Sequence, residues 1–311
     1  MIVTLTANPS VDRTVEVARL RPGGVMRAIS ARVDAGGKGV NVARALAANG
    51  HKAVAVLPSG GAEGVQLVAL LNGLYTVAVP VAGAVRANVT IVEPDGTTTK
   101  INEPGPRLGR AETQALTAAM LEAAHGAEWA VLCGSLPPGV RPGFYGHLVR
   151  RLHAAGTQVA VDTSGAALLA AVAAGPELVK PNRDELAEAT GRAIGTLGDV
   201  AAASRMLRAA GAGSVLASLG QDGAMLVTGD GCWLGTGPVR EPRSTVGAGD
   251  ALLAGFLSAG GRGPEALADA IAYGIAAISL PGSRMPEPAD IDRAVVAVHS
   301  AFDPDKPLTE R

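Results

Sequence analysis

The chain has 311 residues, 48% of them hydrophobic, and sets 27 basic against 28 acidic side chains. That length buries a large core, as one big α/β domain or two modest ones. A net charge of −1 excludes the electrostatic footprint of a general nucleic-acid binder, and no apolar run reaches the ~18–20 residues that a membrane span needs. Residues 1–8 enter a strand-like pattern without signal-peptide character. Cys133 and Cys232 alone make neither a disulfide framework nor a four-ligand metal site. A cytoplasmic protein is expected. Aromatics are only 3%, so the core must come from Ala, Val and Leu, and there are only five lysines, Lys38, Lys52, Lys100, Lys180 and Lys306.

Along the chain, residues 2–6 alternate as a strand. Gly36-Gly37-Lys38-Gly39 opens an amphipathic helix carrying Val42, Ala43, Leu46 and Ala47, with Asn49-Gly50 as its stop. A strand at 53–57 and a helix at 63–72 follow. Segments 85–93 and 97–101 flank Pro94-Asp95-Gly96 and read as a hairpin. From Arg110 the alternation is regular: helix 111–124, strand 129–133, helix 142–155, strand 158–162, helix 166–173, strand 177–180, helix 199–210 and strand 214–219. A meander (224–227, 232–234) runs on to Ser244, and helices are expected at 248–259, 265–280 and 289–301. Such alternation implies a mostly parallel sheet covered on both faces. Segments 12–31 and 85–106 do not fit it and predict a small second sheet. With no linker-like stretch, a single domain spanning 1–311 is expected, ending in a polar, loose tail at 303–311.

One motif carries chemistry by itself. In Ser244-Thr245-Val246-Gly247-Ala248-Gly249-Asp250, glycines open a helix and an acid sits in its first turn. Unpaired N–H groups at a helix start attract anions, and glycines let a phosphate approach the backbone. A carboxylate there could take a proton from a hydroxyl attacking a phosphoryl group, or could simply be a first-turn acid favoured by the helix dipole. The spacing matches neither G-x-G-x-x-G nor Walker A. Asn182 and Glu185 have the spacing of a capping box.

The stretch resembles the second signature of the ribokinase-like carbohydrate kinases, the PfkB family. Asn8-Pro9-Ser10-Val11-Asp12, Gly36–Ala43, Gly134–Gly139, Val179–Leu186 and Ser218–Ala224 resemble further family blocks, in order and over nearly the whole chain. Ser244 stands where the wider family has Asp, a feature of the phosphofructokinase and tagatose-6-phosphate kinase branch.

The resemblance implies a three-layer α/β/α fold with a β-sheet lid, with Asp250 as general base and the Gly247, Ala248 and Gly249 backbone as anion hole. It implies ATP at Lys180, Asn182, Ser218, Leu219, Gly220, Gln221, Asp222, Gly223 and Gly249, and Mg²⁺ at Asn182 and Glu185. Sugar phosphate would meet Asp12, Arg27, Gly36, Gly37, Lys38, Asn41, Arg86, Asn88 and Ser135, with Lys100 and Asn102 as lesser candidates. It also implies a homodimer through the lid and admits a monovalent cation such as K⁺. Gly36-Gly37-Lys38-Gly39 and Val25 favour phosphorylation of fructose 1-phosphate at its 6-hydroxyl. Tagatose 6-phosphate and fructose 6-phosphate are the rival acceptors. Outside the class stand a non-catalytic sugar-phosphate-binding regulator and a nucleotide-dependent oxidoreductase.

Overall fold

Alternation within short apolar strands builds the main sheet. The computed structural model describes residues 1–239 and 241–309. The first half contains β1 (Ile2–Thr6), β2 (Ser10–Val17), β3 (Ala28–Gly36), α1 (Lys38–Ala48), β4 (Ala53–Ser59), α2 (Gly61–Leu70), β5 (Tyr75–Pro80), β6 (Arg86–Val92), β7 (Thr98–Ile101), α3 (Arg110–Ala123), β8 (Trp129–Cys133) and α4 (Phe144–Ala154). The second half contains β9 (Gln158–Asp162), α5 (Gly165–Val172), β10 (Leu178–Val179), α6 (Arg183–Thr190), α7 (Leu197–Ala209), β11 (Ser214–Ser218), β12 (Ala224–Val227), β13 (Cys232–Thr236), α8 (Ala248–Ser258), α9 (Gly263–Ile278) and β14 (Ala297–His299).

Ten strands form one sheet in the order β14-β13-β12-β11-β10-β9-β8-β1-β4-β5. Pairing is parallel from β11 to β5 and antiparallel through β12, β13 and β14. Side chains of successive strand residues point to opposite faces. Val3, Leu5, Ala130, Leu132, Val159 and Val161 therefore join one apolar layer with Leu116 of α3, Leu148 of α4 and Leu207 of α7. Ile2, Trp129, Val131 and Ala160 join the other, with Leu46 of α1, Phe256 of α8 and Tyr273 of α9. Helices thus cover both faces, as a parallel sheet requires.

A four-stranded sheet, β3-β2-β6-β7, stands apart from it. Its β2–β6 pair is parallel and its other two pairs are antiparallel. Val11, Ala35 and Val85 pack with Leu67 and Leu71, which leaves Ser10 and Asp12 facing the other way along β2.

Two expectations are corrected. The helix at 289–301 does not form: two short 3₁₀ turns (Pro288–Asp290 and Arg293–Val295) lead into β14. Asp292 caps the second turn through the Ala294 N–H at 2.9 Å, and Val296 and Val298 pack on the core while β14 pairs with β13. An open sheet edge outcompeted helix formation here. The tail at 303–311 is not loose over its described part, where Leu308 is buried in the core; residues 310 and 311, like Arg240 within the expected meander, lie outside the described residues. β5 was not anticipated.

Candidate active site

The parallel strands bring their C-terminal ends to one edge, where α8 begins. Gly247 caps α8 in the left-handed region (φ 78°), which a side chain would strain, and a Cβ there would come within 2.6 Å of Met285 Cε. Asp250, in the first turn of α8, is 8% exposed. Its Oδ2 accepts a hydrogen bond from Asn41 Nδ2 at 2.8 Å, from α1 on the same face of the sheet. Burial and the nearby Asp162 push its carboxyl up to about 7, against the opposing pull of Asn41, Lys180 and Lys38.

Asp162 ends β9 and is fully buried. Lys38 Nζ lies 2.7 Å from its Oδ1 and Lys180 Nζ 3.0 Å from its Oδ2. Burial opposes ionisation of Asp162, yet Lys180 and Lys38 together hold its pKa below the usual carboxylate range. Lys38 also reaches Glu185 Oε1 at 3.1 Å. Burial alone would lower the Lys38 pKa, but Asp162 and Glu185 raise it above its ordinary value. Lys180 is 4% exposed, and its Nζ stands 3.5 Å from where a Cβ on Gly249 would lie. The absence of a side chain at Gly249 thus leaves this ammonium beside the start of α8. Asp162 was not singled out from the sequence; its one signal is an acid closing the apolar strand Gln158–Asp162.

Asn182 caps α6, its Oδ1 accepting the Glu185 N–H at 2.9 Å while Glu185 Oε2 accepts the Asn182 N–H at 2.9 Å. The capping-box spacing is therefore realised. Among the described residues no group of three or more His, Cys, Asp or Glu side chains could hold a metal ion. Asn182 and Glu185 still fit a magnesium ion that keeps most of its waters, because both offer hard oxygen donors and a carboxylate accepts more bonds than Glu185 uses here.

Asn182 also bridges Ser218 in parallel fashion, and the Ser218 N–H donates to Pro181 O at 3.0 Å. This joins two of the expected nucleotide segments directly. Beyond Leu219, residues Gly220–Asp222 form a 3₁₀ turn. Gly223 (φ 87°) passes so close to Gly235 that a Cβ would meet its carbonyl oxygen at 2.0 Å. Gln221 lies within this turn. Both Asp222 carboxylate oxygens are engaged by Thr309, whose N–H and Oγ1 each donate at 2.8 Å.

The small sheet supplies the second cluster. Asp12 stands opposite Asn88, and Ser10 opposite Arg86 and Gly36. Asp12 Oδ1 accepts from Ser10 Oγ at 2.7 Å and from Asn88 Nδ2 at 2.9 Å. A Cβ on Gly36 would lie 2.3 Å from Asp12 Oδ2 and 2.5 Å from Ser10 Oγ, so any other residue would push the Asp12 and Ser10 side chains out of place. Gly37 adopts φ 123°, packed on Thr6. Arg86 donates to Asn8 O at 3.1 Å and Glu103 O at 3.0 Å. Asn8 Nδ2 lies 3.4 Å from Ser135 Oγ. Among the described residues Arg86 Nε, Asn88 Oδ1, Asn8 Oδ1 and Asn41 Oδ1 are buried without a hydrogen-bond partner. A cavity of about 270 Å³ borders Arg86, Glu63 and Glu103; no residue lining it belongs to the Asp250 cluster.

The structure thus gathers Asp250, Gly247, Gly249, Asn41, Lys38, Lys180, Asn182 and Glu185 at one sheet edge, and Asp12, Gly36, Arg86, Asn88 and Ser135 around Asn8 and the small sheet. Arg27 joins neither group within the chain. It is exposed just before β3, while Gly36 closes that strand roughly 25–30 Å away at ~3.3 Å per residue. Lys38, expected to face sugar phosphate, is occupied by Asp162 and Glu185. Lys100 and Asn102 sit on and just after the outer strand β7.

A mostly parallel sheet with an antiparallel extension, helices on both faces and a small separate sheet define the ribokinase-like α/β fold. An Arabidopsis thaliana ribokinase shares that fold at 22% identity, with a TM-score of 0.74 over 93% of this chain and 96% of that one. Residues 5–290 match the pfkB family carbohydrate kinase profile, and the chain belongs to that family of phosphotransferases with an alcohol acceptor. It is 41% identical over 295 residues to a 1-phosphofructokinase of Rhodobacter capsulatus, covering 92% of this chain and 93% of the relative. The crystal structure of Escherichia coli phosphofructokinase-2 in complex with potassium superposes with a TM-score of 0.87 at 35% identity, covering 93% and 96% of the two chains.

Proposed function

We propose that the chain transfers the γ-phosphoryl group of ATP to the 6-hydroxyl of D-fructose 1-phosphate, giving fructose 1,6-bisphosphate and ADP, the activity of a 1-phosphofructokinase. The observation that carries the chemistry is Asp250, a buried acid with a pKa near neutral in the first turn of a glycine-opened helix. A base of that strength can take the 6-hydroxyl proton as the oxygen attacks phosphorus and the bond to the bridging oxygen breaks. The Gly247–Gly249 backbone and the Lys180 ammonium oppose the charge of the transferring group. Magnesium, held by Asn182 and Glu185 largely through water, would neutralise phosphate charge. The 218–223 loop would hold the remaining nucleotide phosphates and ribose.

The orphaned groups of Arg86, Asn88 and Asn8 at the small sheet, and of Asn41 beside Asp250, support a polar substrate reaching from one to the other, since buried unpaired groups await a partner. Arg86, partly buried and already held by two carbonyls, has the planar geometry that suits a phosphate. With substrate bound, the small sheet would exclude water from the reacting atoms. Val25, Ile29 and Ile101 stand exposed on or beside this sheet, and that apolar surface supports a homodimer formed through it. A monomer by light scattering would remove this reading. No helix of the described residues is long and apolar enough to cross a membrane, in keeping with a cytoplasmic enzyme.

The likeness to phosphofructokinase-2 favours a second acceptor, fructose 6-phosphate. ADP release measured with Mg²⁺ and fructose 1-phosphate, fructose 6-phosphate or tagatose 6-phosphate decides among them. The expected result is the highest kcat/KM with fructose 1-phosphate; a preference for either other sugar overturns the assignment. Sugar binding without ADP release would instead identify a regulator.

A further inference from the structure

The segment after Phe302 is tied to both motifs at the nucleotide end. Gly198 N–H donates to Pro304 O at 2.7 Å, Leu197 N–H to Lys306 O at 3.1 Å, and Leu308 N–H to Gly195 O at 2.8 Å. Leu308, 7% exposed, anchors the segment in the core. Beyond that anchor, all three polar groups of Thr309 are used. Its N–H and Oγ1 donate to the two oxygens of Asp222 at 2.8 Å each, and its carbonyl accepts from Arg183 Nη1 at 3.2 Å. Asp222 closes the 3₁₀ turn of the 218–223 loop, and Arg183 is the first residue of α6, directly after Asn182. Arg183 Nε in turn donates to Ile194 O at 2.8 Å. One residue therefore spans the two segments expected to meet the nucleotide. The only carboxylate of the 218–223 loop is turned to Thr309.

We propose that residues 304–309 form a strap that holds the 218–223 loop in its nucleotide-binding shape, with Thr309 as the positioning residue. This rests on the reading of that loop as an ATP-phosphate segment. Hydrogen bonds to a charged acceptor are stronger than neutral ones, and here two converge on one carboxylate. Losing them frees the turn without touching Asp250, Lys180 or the small sheet, so ATP binding should weaken while sugar binding and the chemical step persist.

The test uses the full chain with Thr309→Pro, which removes both donors, Thr309→Val, which removes one, and Thr309→Ser, which keeps both. Thr309→Pro is expected to raise KM for ATP about three- to tenfold, Thr309→Val less, and Thr309→Ser not at all. KM for the sugar phosphate should stay within about twofold and kcat at saturating ATP should be retained. Hydrogen exchange of 218–223 with and without a non-hydrolysable ATP analogue is read on the wild-type chain in parallel. If the analogue protects the loop but Thr309→Pro and Thr309→Val leave KM for ATP unchanged, the strap is wrong and the nucleotide reading stands. No protection of the loop overturns both. If both KM values and the thermal midpoint move together in all three variants, Thr309 is merely structural and the proposal fails.

Discussion

The Asp250 cluster and the Asp12 cluster solve different physical problems. The first is a set of charges: Asp162 and Asp250 are buried, and Lys38 and Lys180 lie against Asp162 from α1 and from the end of β10. Its four members come from four separate elements, and Lys38 and Lys180 neutralise Asp162 with Asp250 left beside the group. The second is a set of hydrogen bonds on the Asp12 carboxylate, from Ser10 on the same strand and from Asn88 on the neighbouring β6, and it keeps buried atoms without partners. A set of packed charges tunes the proton affinity of one acid, whereas a polar set with several unpaired buried atoms has capacity for a ligand. The difference supports the proposed division, chemistry at the large sheet and recognition at the small one.

Asp250→Asn tests that division hardest. It keeps shape and a partner for Asn41 but removes the base, so kcat should fall by about 10²–10⁴ with the fold retained by circular dichroism. Near-wild-type turnover would end the assignment of chemistry to this cluster. Asp162→Asn strikes its electrostatic centre and leaves Lys180 buried without a counter-charge. A loss of about 3–5 kcal/mol in chemical denaturation is expected, and a change under ~1 kcal/mol would show that the pairs are not a unit.

Arg86→Met probes the recognition side. KM for the sugar phosphate should rise about 10–100-fold with KM for ATP unaltered; a kcat loss without a KM change would move Arg86 into the chemical step. The smallest effect is on pH. With Asp250 ionising near 7, turnover should fall about tenfold per unit below that value and level off above it. The stability sign follows from the same shift. Between an unfolded carboxylate pKa of ~3.9 and about 7, the folded chain retains a proton that the unfolded chain has lost, so this residue makes stability decline as pH rises through that window. Asp162 acts oppositely, its contribution being present above the unfolded carboxylate pKa and lost as pH falls through its lowered folded value. Asp250→Asn should remove the first slope only, a difference readable in melts taken from pH 4 to pH 8.

How far the sequence reaches depends on whether a feature is local. The Gly247–Asp250 helix start, the Asn182–Glu185 capping box and the strand alternation of 129–133 or 158–162 are set by neighbours within a few residues, and each is found where the pattern places it. A local reading failed at 289–301, where small and apolar residues suit a helix but a free strand edge at β13 claimed 297–299. It also failed at 303–309: polarity suggested a loose end, and the single buried Leu308 with Thr309 beyond it holds the segment down.

What the sequence by itself determined is the family, the order of its elements and the identity of the acid in the glycine motif, because turn chemistry and strand alternation are written in adjacent residues. Only the tertiary structure decided what surrounds that acid. Lys38 and Asp162 lie 124 positions apart and meet because β9 is threaded beside β8, which adjoins β1 ahead of α1. No spacing along the chain encodes that meeting. Burial then makes that meeting count, since a buried carboxylate is shifted by the charges packed around it, whatever their distance in sequence.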